Sequence, residues 1–289
     1  ITTPNSFIAS TAVIVHLGAK PVFVDVKKDQ CIDPDLIEKA ITKKTKAIMV
    51  VHLSGRVCEM DKILKISKKY KIPIIEDAAQ AIGSKYKGKM AGTFGKVACF
   101  SAHPLKNLNA LGDSGYLTTD SKKIADLLKD LRNHGMTKRD KIKNFGYVSR
   151  MDNLQAAILN FRLKNLNKVI QKRRMNAKFY INNLNKKYIF IPEEHLNQFN
   201  TYHTFVIQVS KRNQLKKYLK KKGIETSIHY PIPIHLQPAA RKLNYCVGDF
   251  KITETQSKKI LTLPVNQFLM KKDLKIICKT INNFYENKR

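Results

Sequence analysis

A carboxylate and an amine in this sequence stand where they could together hold a cofactor. Asp77 ends the apolar run Ile74-Ile75-Glu76-Asp77, and Lys106 follows a second apolar run over residues 97–101. The carboxyl ends of strands are where open α/β sheets bind their ligands. A partly desolvated lysine can bond to an aldehyde, and a buried aspartate can hold a protonated ring nitrogen. The pair would therefore fit pyridoxal phosphate (PLP).

Spacing alone leaves a plainer interpretation open for both residues. An aspartate at a strand end can simply cap the helix that follows, and lysine is abundant throughout the chain. What separates Lys106 from the other lysines is its place in a loop bounded by Pro104 and by glycines at 112 and 115. Because burial disfavours a lone carboxylate, we expect a positive group to face Asp77.

The elements that must position these residues follow an alternating pattern in the first half of the chain. Short apolar runs predict strands over residues 21–26, 47–53, 72–78, 97–101 and 115–119. Amphipathic stretches between them predict helices over 6–17, 34–40, 60–70 and 122–134, with Asp33 and Ser121 as N-caps. This order is typical of β-α-β units, so the sequence predicts an α/β fold with a mostly parallel sheet.

The second half of the chain has a different pattern. Apolar residues at helical spacing from 152 to about 184 predict one long helix or two joined helices. A strand over 203–209, a basic helix over 214–222, a second strand over 225–230 and a terminal helix from Lys272 follow. We therefore predict a large domain over residues 1–165 and a smaller α+β domain over 166–289.

Composition and charge limit the possible functions. The chain has 43% hydrophobic and 26% charged residues, which indicates a folded globular protein rather than a disordered one. Its formal net charge of +32 raises nucleic acid or another polyanion as a partner. The lysines are nevertheless spread over nearly every predicted helix and loop, which favours solvated faces over one dedicated site.

Membrane and metal functions find no support in the sequence. No apolar run approaches the roughly 20 residues of a membrane-spanning helix, so we expect a cytoplasmic protein. The five cysteines lack C-x-x-C spacing and are odd in number, which argues against a zinc site and a disulfide framework. We predict no metal ligands.

A series of motifs runs in order along nearly the whole chain. They are Pro4-Asn5-Ser6-Phe7-Ile8-Ala9-Ser10, Glu76-Asp77-Ala78-Ala79-Gln80, Phe100-Ser101-x-His103-Pro104-x-Lys106-Asn107-Leu108, Gly112-Asp113-x-Gly115, Gly146-Tyr147-x-x-Arg150-Met151-Asp152-x-Leu154-Gln155-Ala156-Ala157 and His229-Tyr230-Pro231. Together they resemble the DegT/DnrJ/EryC1/StrS family of sugar aminotransferases. The resemblance implies a PLP-dependent enzyme of fold type I that acts on nucleotide-linked keto-sugars.

The resemblance also implies a role for each matching residue. Lys106 corresponds to the lysine that bonds to the cofactor and later moves the proton of the reaction. Asp77 corresponds to the carboxylate paired with the pyridinium nitrogen. Gln80 corresponds to a cofactor contact near the ring oxygen, and Ser101 to a hydroxyl donor for the phosphate. Phe7 corresponds to an aromatic ring against the cofactor face, with ordinary core packing as the alternative.

Three further positions have weaker assignments. His103 either contacts the cofactor or substrate, or only orders the lysine loop. His229 and Tyr230 either approach the substrate or form a rigid turn. Glu76 is interpreted as structural rather than catalytic, and Arg150 as an anchor of the helix that follows it, with substrate contact as the alternative.

The activity implied by the resemblance is transfer of an amino group, from glutamate, to the keto-sugar, by a homodimer whose active sites are completed across the subunits. The alternative is a relative with impaired catalysis that binds polyanions through its basic surface. The family's Gly-Thr or Gly-Ser phosphate turn is expected upstream of Ile1, so we expect an N-terminally truncated chain. Val148 stands where the family often has an asparagine that reaches the partner's cofactor, and Ser114 replaces a glycine.

Overall fold

The computed structural model describes residues 1–286. Within them, the α-helices are α1 (Ala9–His16), α2 (Pro34–Ala40), α3 (Met60–Tyr70), α4 (Lys122–Leu131), α5 (Asn153–Leu163), α6 (Leu166–Asn183), α7 (Arg212–Lys221), α8 (Lys251–Lys259) and α9 (Lys271–Glu286). Short 3₁₀ segments cover Leu53–Gly55, Ile234–Leu236 and Pro238–Leu243. None of the helices in this part of the chain is long and apolar enough to cross a membrane.

The strands form several small sheets around one larger sheet. In chain order they are β1 (Ile48–Val51), β2 (Ile74–Asp77), β3 (Lys85–Tyr86), β4 (Lys89–Met90), β5 (Val97–Ser101), β6 (Gly115–Thr118), β7 (Met136–Lys138), β8 (Lys141–Ile142), β9 (Ile189–Phe190), β10 (Gln198–Phe199), β11 (Phe205–Val209) and β12 (Ile260–Leu263). The larger sheet has the order β1-β2-β5-β6. Its first three strands are parallel, and β6 is antiparallel to β5.

The parallel strands bring the predicted site residues to one edge of the sheet. Asp77 is the last residue of β2 and lies opposite Cys99 of β5, two residues before that strand ends at Ser101. Parallel strands have their carboxyl ends on the same side, so the segments after β2 and β5 leave the sheet together. The predicted α/β fold with a mostly parallel sheet is confirmed.

Local sequence signals fix the ends of several helices. The side chain of Asp33 accepts a hydrogen bond from the N–H of Asp35 and begins α2. Ser121 accepts one from the N–H of Ile124 and begins α4. Both predicted N-caps are confirmed, because such side chains satisfy backbone donors that the first helical turn leaves free. The predicted bounds of α2 and α3 also match, and the long predicted helix is two helices, α5 and α6.

Two predicted strands are wrong. Residues 21–26 form isolated bridges at Phe23 and Val26 instead of a strand. The cause is packing with distant residues: Phe23 lies in an apolar cluster with Ile234 and Phe250, and its N–H donates to the hydroxyl of Tyr245. Residues 225–230 likewise form a bridge at Ser227 rather than a strand. In both segments the backbone pairing depends on tertiary contacts, which a local sequence pattern does not reveal.

The second half of the chain has its own core on the antiparallel sheet β12-β11-β9. Buried side chains of α6, α7 and α9 pack on it, among them Tyr180, Leu219 and Ile281. The start of α6 belongs to another cluster, in which Leu166 and Ile170 pack with residues of the first half. Because α6 contributes to both cores, the division into 1–165 and 166–289 stays a prediction, and residues 287–289 lie outside the described part.

A buried carboxylate holds the sheet beside the site. The oxygens of Glu76 accept hydrogen bonds of 2.6–2.9 Å from His52 Nε2 and from the backbone N–H groups of Gly92, Phe94 and Gly95. Burial alone would raise the pKa of Glu76, but these donors outweigh it and lower the pKa. Successive side chains of a strand point to opposite faces, so Glu76 lies on the face away from Asp77. Its contacts are those of a structural residue.

Candidate active site

The carboxyl ends of the strands open into a cleft of about 1570 Å³. It is lined by every site residue that the sequence predicts: Phe7, Asp77, Gln80, Ser101, His103, Lys106, His229 and Tyr230. His229 and Tyr230 come from the second half of the chain, and the others come from the first half. The cleft therefore lies where the two halves meet.

The Asp77 carboxylate is held in one orientation by two donors. Ser10 Oγ of α1 donates to Oδ2 at 2.6 Å, and the N–H of Ala79 donates to Oδ1 at 3.1 Å. Ser10 Oγ is itself 3.0 Å from Ser6 Oγ. A carboxylate has about four acceptor positions, so the two donors leave Asp77 able to accept a further hydrogen bond from a group in the cleft.

The loop of Lys106 is tied down on both sides. The N–H of Lys106 donates to the His103 carbonyl at 2.9 Å, and Asn107 Nδ2 donates to the Thr201 carbonyl at 3.2 Å. Lys106 Nζ has no hydrogen-bond partner within residues 1–286. Burial lowers the pKa of Lys106, and the negative charge of Asp77 opposes this only in part. A lysine with a lowered pKa supplies more of the neutral, nucleophilic amine at neutral pH.

Aromatic rings and an amide surround the same space. The rings of Phe7 and Tyr230 lie with their centroids 5.9 Å apart and tilted by 43°. Phe7 is 57% exposed, so core packing does not explain it. Gln80 Nε2 donates to the Tyr230 hydroxyl at 3.3 Å, and Gln80 Oε1 accepts from the N–H of Ser54 at 2.7 Å. These contacts fix the Gln80 amide at the wall of the cleft.

The contacts of His103 are those of a residue that orders the lysine loop. Its Nδ1 accepts a hydrogen bond from the N–H of Leu105 at 3.2 Å, and its own N–H donates to Ser101 Oγ at 3.3 Å. Its ring also lines the cleft, so a ligand contact remains compatible with this role.

His229 borders the cleft from the second half of the chain. Its Nδ1 is 2.9 Å from Thr262 Oγ1 of β12. Burial and the nearby charge of Lys106 lower the pKa of His229. Arg150 also borders the cleft.

Ser10 and His203 also line the cleft, although neither is among the predicted site residues. Ser10 is the last residue of the first motif, which assigns it no role, although it makes the shortest hydrogen bond to Asp77. The spacing of Ser6 and Ser10, four residues apart at the start of a helix, was a signal that they share a face. His203 also borders the cleft, and it carried no signal beyond its place at the start of a predicted strand.

The donor set fits pyridoxal phosphate. A carboxylate with free acceptor capacity suits a protonated ring nitrogen, and an amine without a partner suits an aldehyde. The exposed Phe7 ring suits an aromatic face, and the Ser101 hydroxyl at the end of β5 suits a phosphate oxygen. All of these groups border one cleft.

Comparison with known proteins agrees with this chemistry. The sequence matches the DegT/DnrJ/EryC1/StrS aminotransferase family over residues 1–282. The chain belongs to this family. One relative is the dTDP-3-amino-3,6-dideoxy-alpha-D-galactopyranose transaminase of Aneurinibacillus thermoaerophilus, which is 39% identical over 98% of this chain and 78% of its own length.

Solved structures of similar proteins extend the agreement to the fold and the cofactor. DesV of S. venezuelae, in complex with a ketimine intermediate, has a TM-score of 0.95 at 33% identity, covering 98% of this chain and 77% of its own. NtdA of Bacillus subtilis with its bound cofactor PMP has a TM-score of 0.91 at 33% identity, and the match covers 100% of this chain and 67% of the NtdA chain. The family member described here is accordingly an aminotransferase of PLP fold type I that uses pyridoxal phosphate.

Proposed function

We propose that this aminotransferase moves an amino group from glutamate to a keto-sugar linked to a nucleotide diphosphate. The observation that carries the proposal is that Lys106 and Asp77 border one cleft at the carboxyl ends of the parallel strands. The cleft of about 1570 Å³ exceeds the roughly 300–1,000 Å³ typical of small-molecule pockets. That space leaves room for a nucleotide beyond the reacting sugar. The name of the Aneurinibacillus relative, a transaminase of a dTDP-linked sugar, supports the same substrate class.

Asp77 is proposed to hold the cofactor's ring nitrogen in its protonated form. When bound, pyridoxal phosphate supplies an electron sink for negative charge at the substrate carbon. The Asp77 carboxylate, oriented by Ser10 and Ala79, would accept a hydrogen bond from the protonated ring nitrogen. Phe7 would pack on the ring face, and Ser101 would donate to the phosphate.

Lys106 is proposed to do the covalent and proton-transfer work. Its amine would bind the aldehyde carbon of the cofactor before the amino donor arrives. Once released, the same amine would move a proton from the substrate carbon of the donor to the former aldehyde carbon of the cofactor, and would move one in the reverse direction during amination of the acceptor. The lowered pKa of Lys106 suits both tasks, because a base acts best when its pKa lies near the operating pH. Gln80 would contact the cofactor near its ring oxygen, and His229 and Tyr230 would face the substrate.

We expect the purified protein with pyridoxal phosphate and L-glutamate to aminate a keto-sugar linked to dTDP or UDP. Mass spectrometry should detect the amino-sugar nucleotide together with an equal amount of 2-oxoglutarate. The Lys106→Ala variant is the control and should yield neither product. Amination of free keto acids, with none of any nucleotide keto-sugar tested, would contradict the proposed substrate class.

A second copy of the chain is proposed to cover helix α1. The burial of this helix is the reverse of what is usual, because polar residues are buried and apolar residues are exposed. Ser10 and Thr11 are buried. Val13 and Val15 are about half exposed, at 47% and 49%, and Leu17 at the end of the helix is 76% exposed. Exposed apolar side chains grouped within a few residues are candidates for a protein–protein contact. Because α1 carries Ser10 and follows Phe7, a homodimer formed through it would also stabilise the wall of the cleft.

We expect the protein to sediment as a dimer of its 33.1 kDa chain. Val15→Asp should shift it to monomer, because a buried charge without a partner is costly at an interface. Ile276→Asp is the matched control on α9, where an apolar side chain is likewise 55% exposed but lies far from α1 in the chain. A wild-type monomer, or equal effects of the two substitutions, would argue against α1 as the interface.

The remaining assignments rest on the resemblance. A cytoplasmic location and a role in polysaccharide biosynthesis are proposed together with the substrate class. The polyanion-binding alternative is not favoured, since the amine and the carboxylate that catalysis requires both border the cleft.

A further inference from the structure

His203 is a cleft residue that the proposed mechanism does not yet use. It borders the cleft together with Lys106 and His229. Its Nδ1 is sealed from solvent and has no hydrogen-bond partner among the described residues, 1–286. The other ring nitrogen, Nε2, is not among the sealed nitrogens without a partner. Nε2 is therefore the nitrogen available to a molecule in the cleft.

The backbone around His203 is held from two sides, so the ring is positioned in advance. Arg173 Nη1 of α6 donates to the carbonyls of Tyr202 at 3.2 Å and His203 at 3.1 Å. On the other side, Thr204 Oγ1 donates to Ser54 Oγ at 2.8 Å. Gly55 packs so closely that an added Cβ would lie 3.0 Å from the backbone nitrogen of His203. Rigid support of this kind favours a fixed role for the imidazole.

The surroundings also determine where the ring carries its proton. A buried N–H without an acceptor is rarely tolerated, and Nδ1 has no acceptor. The charged imidazole and the neutral Nδ1–H tautomer both place an N–H there, whereas the neutral Nε2–H tautomer does not. Burial lowers the pKa of His203 well below its usual value, and the charges of Lys106 and Arg173 lower it further, followed by those of His229 and His103. The ring is therefore neutral, with its proton on the side of the cleft.

We propose that His203 donates a hydrogen bond from Nε2 to a substrate oxygen beside Lys106. The oxygen belongs either to the keto group of the amino acceptor or to a carboxylate of the amino donor. A neutral donor would stabilise the negative charge that develops on a keto oxygen under attack, or the charge that a carboxylate already carries, without giving up its proton. This inference rests on the proposed function for the identity of the two substrates, but the protonation of His203 does not depend on it.

Two substitutions separate the hydrogen bond from the shape of the ring. His203→Gln keeps a neutral N–H donor near the position of Nε2, whereas His203→Leu fills the space without one. Each half-reaction of the holoenzyme is followed alone by stopped-flow absorbance of the bound cofactor, first with L-glutamate and then with the keto-sugar nucleotide. We expect His203→Leu to slow at least one half-reaction about 10²- to 10³-fold, as for loss of one preorganised donor. His203→Gln should restore most of the rate.

The slowed half-reaction identifies the oxygen. A loss confined to the glutamate step assigns it to the donor carboxylate, and a loss confined to the sugar step assigns it to the keto group. His195→Gln, an exposed loop histidine, is the matched control and should leave both steps unchanged. Equal rates for the Leu and Gln variants in both half-reactions would overturn the proposal. Failure of the wild type with every nucleotide keto-sugar would instead count against the proposed function.

A readout independent of turnover comes from nitrogen NMR of the holoenzyme labelled with ¹⁵N-histidine. The signals that disappear in His203→Gln belong to His203. We expect them to have the pattern of a neutral Nε2–H ring throughout pH 6–8. A charged ring or an Nδ1–H ring over that range would overturn the proposal.

Discussion

Lys106→Ala loses transamination, with turnover falling at least about 10⁴-fold. General acid–base catalysis by a single side chain contributes about 10²- to 10⁴-fold, and this variant also loses the covalent step. Lys106 Nζ is the cleft amine whose pKa responds to both burial and Asp77, and alanine offers nothing to replace it. The variant should also lose the visible absorbance that bound cofactor gives when it is linked to a lysine.

The control for this prediction is another lysine of the same cleft. Lys129 of α4 also borders it, but its side chain is 73% exposed and lies 3.8 Å from Asp126. Lys129→Ala should retain the visible band of the bound cofactor. If Lys106→Ala kept the band and Lys129→Ala lost it, the assignment of the covalent lysine would be wrong.

Asp77→Asn lowers turnover by about 10³-fold while the protein still folds and binds cofactor. The amide oxygen can accept the hydrogen bond that Ser10 or Ala79 now donates, so the local structure is preserved. An amide has no negative charge, however, and cannot keep a ring nitrogen protonated. Charge-assisted hydrogen bonds are about twice as strong as neutral ones, and their loss in a water-poor site is correspondingly large. Steady-state kinetics with the keto-sugar nucleotide measures the loss.

Ser10→Ala is the matched variant for Asp77→Asn. It removes the 2.6 Å hydrogen bond to Oδ2 but leaves the charge of Asp77 and its contact with Ala79 in place. Such a hydrogen bond contributes about 1.5–3 kcal/mol when one partner is charged. We therefore expect turnover to fall roughly tenfold to a hundredfold. Asp77→Asn with turnover near that of the wild type would show that the carboxylate is not the partner of the ring nitrogen.

The features of the fold and the site that could be predicted from the sequence are those that depend on residues close together in the chain. The bounds of α2 and α3 and the caps Asp33 and Ser121 depend on interactions within a few residues. The position of Asp77 follows from the apolar strand before it, because a parallel sheet delivers the end of that strand to the cleft. Every predicted site residue does border the cleft. Their individual roles stay predictions until the variants are measured.

Long-range packing explains the parts that the sequence did not reveal. Residues 21–26 look like a strand, but Phe23 packs with Phe250 and Asp25 accepts hydrogen bonds from the start of α8. Helix α8 itself was missed, since its buried residues include the polar Thr253, Glu254, Gln256 and Ser257. His203 was also missed as a site residue, because its position depends on Arg173 and Gly55, which are distant in the chain.

Helix α1 shows that a sequence pattern can predict a helix without predicting which of its sides is buried. Its apolar residues predicted a helix over 6–17, and the structure contains one over Ala9–His16. Its apolar residues are distributed all round the helix, so no apolar face indicates the side that packs on the core. Here the small polar residues Ser10 and Thr11 pack inward, because Ser10 must reach the Asp77 carboxylate. The site therefore determines which face of the helix is buried.

The most direct test of the central claim is to map the covalent link to the cofactor. Borohydride reduction of the purified holoenzyme makes a lysine–cofactor bond permanent, and mass spectrometry of the digested protein then locates it. We predict that the modification lies on Lys106 and that Asp77→Asn leaves its position unchanged. A modification on any other lysine, or none in protein that demonstrably contains the cofactor, would contradict the account.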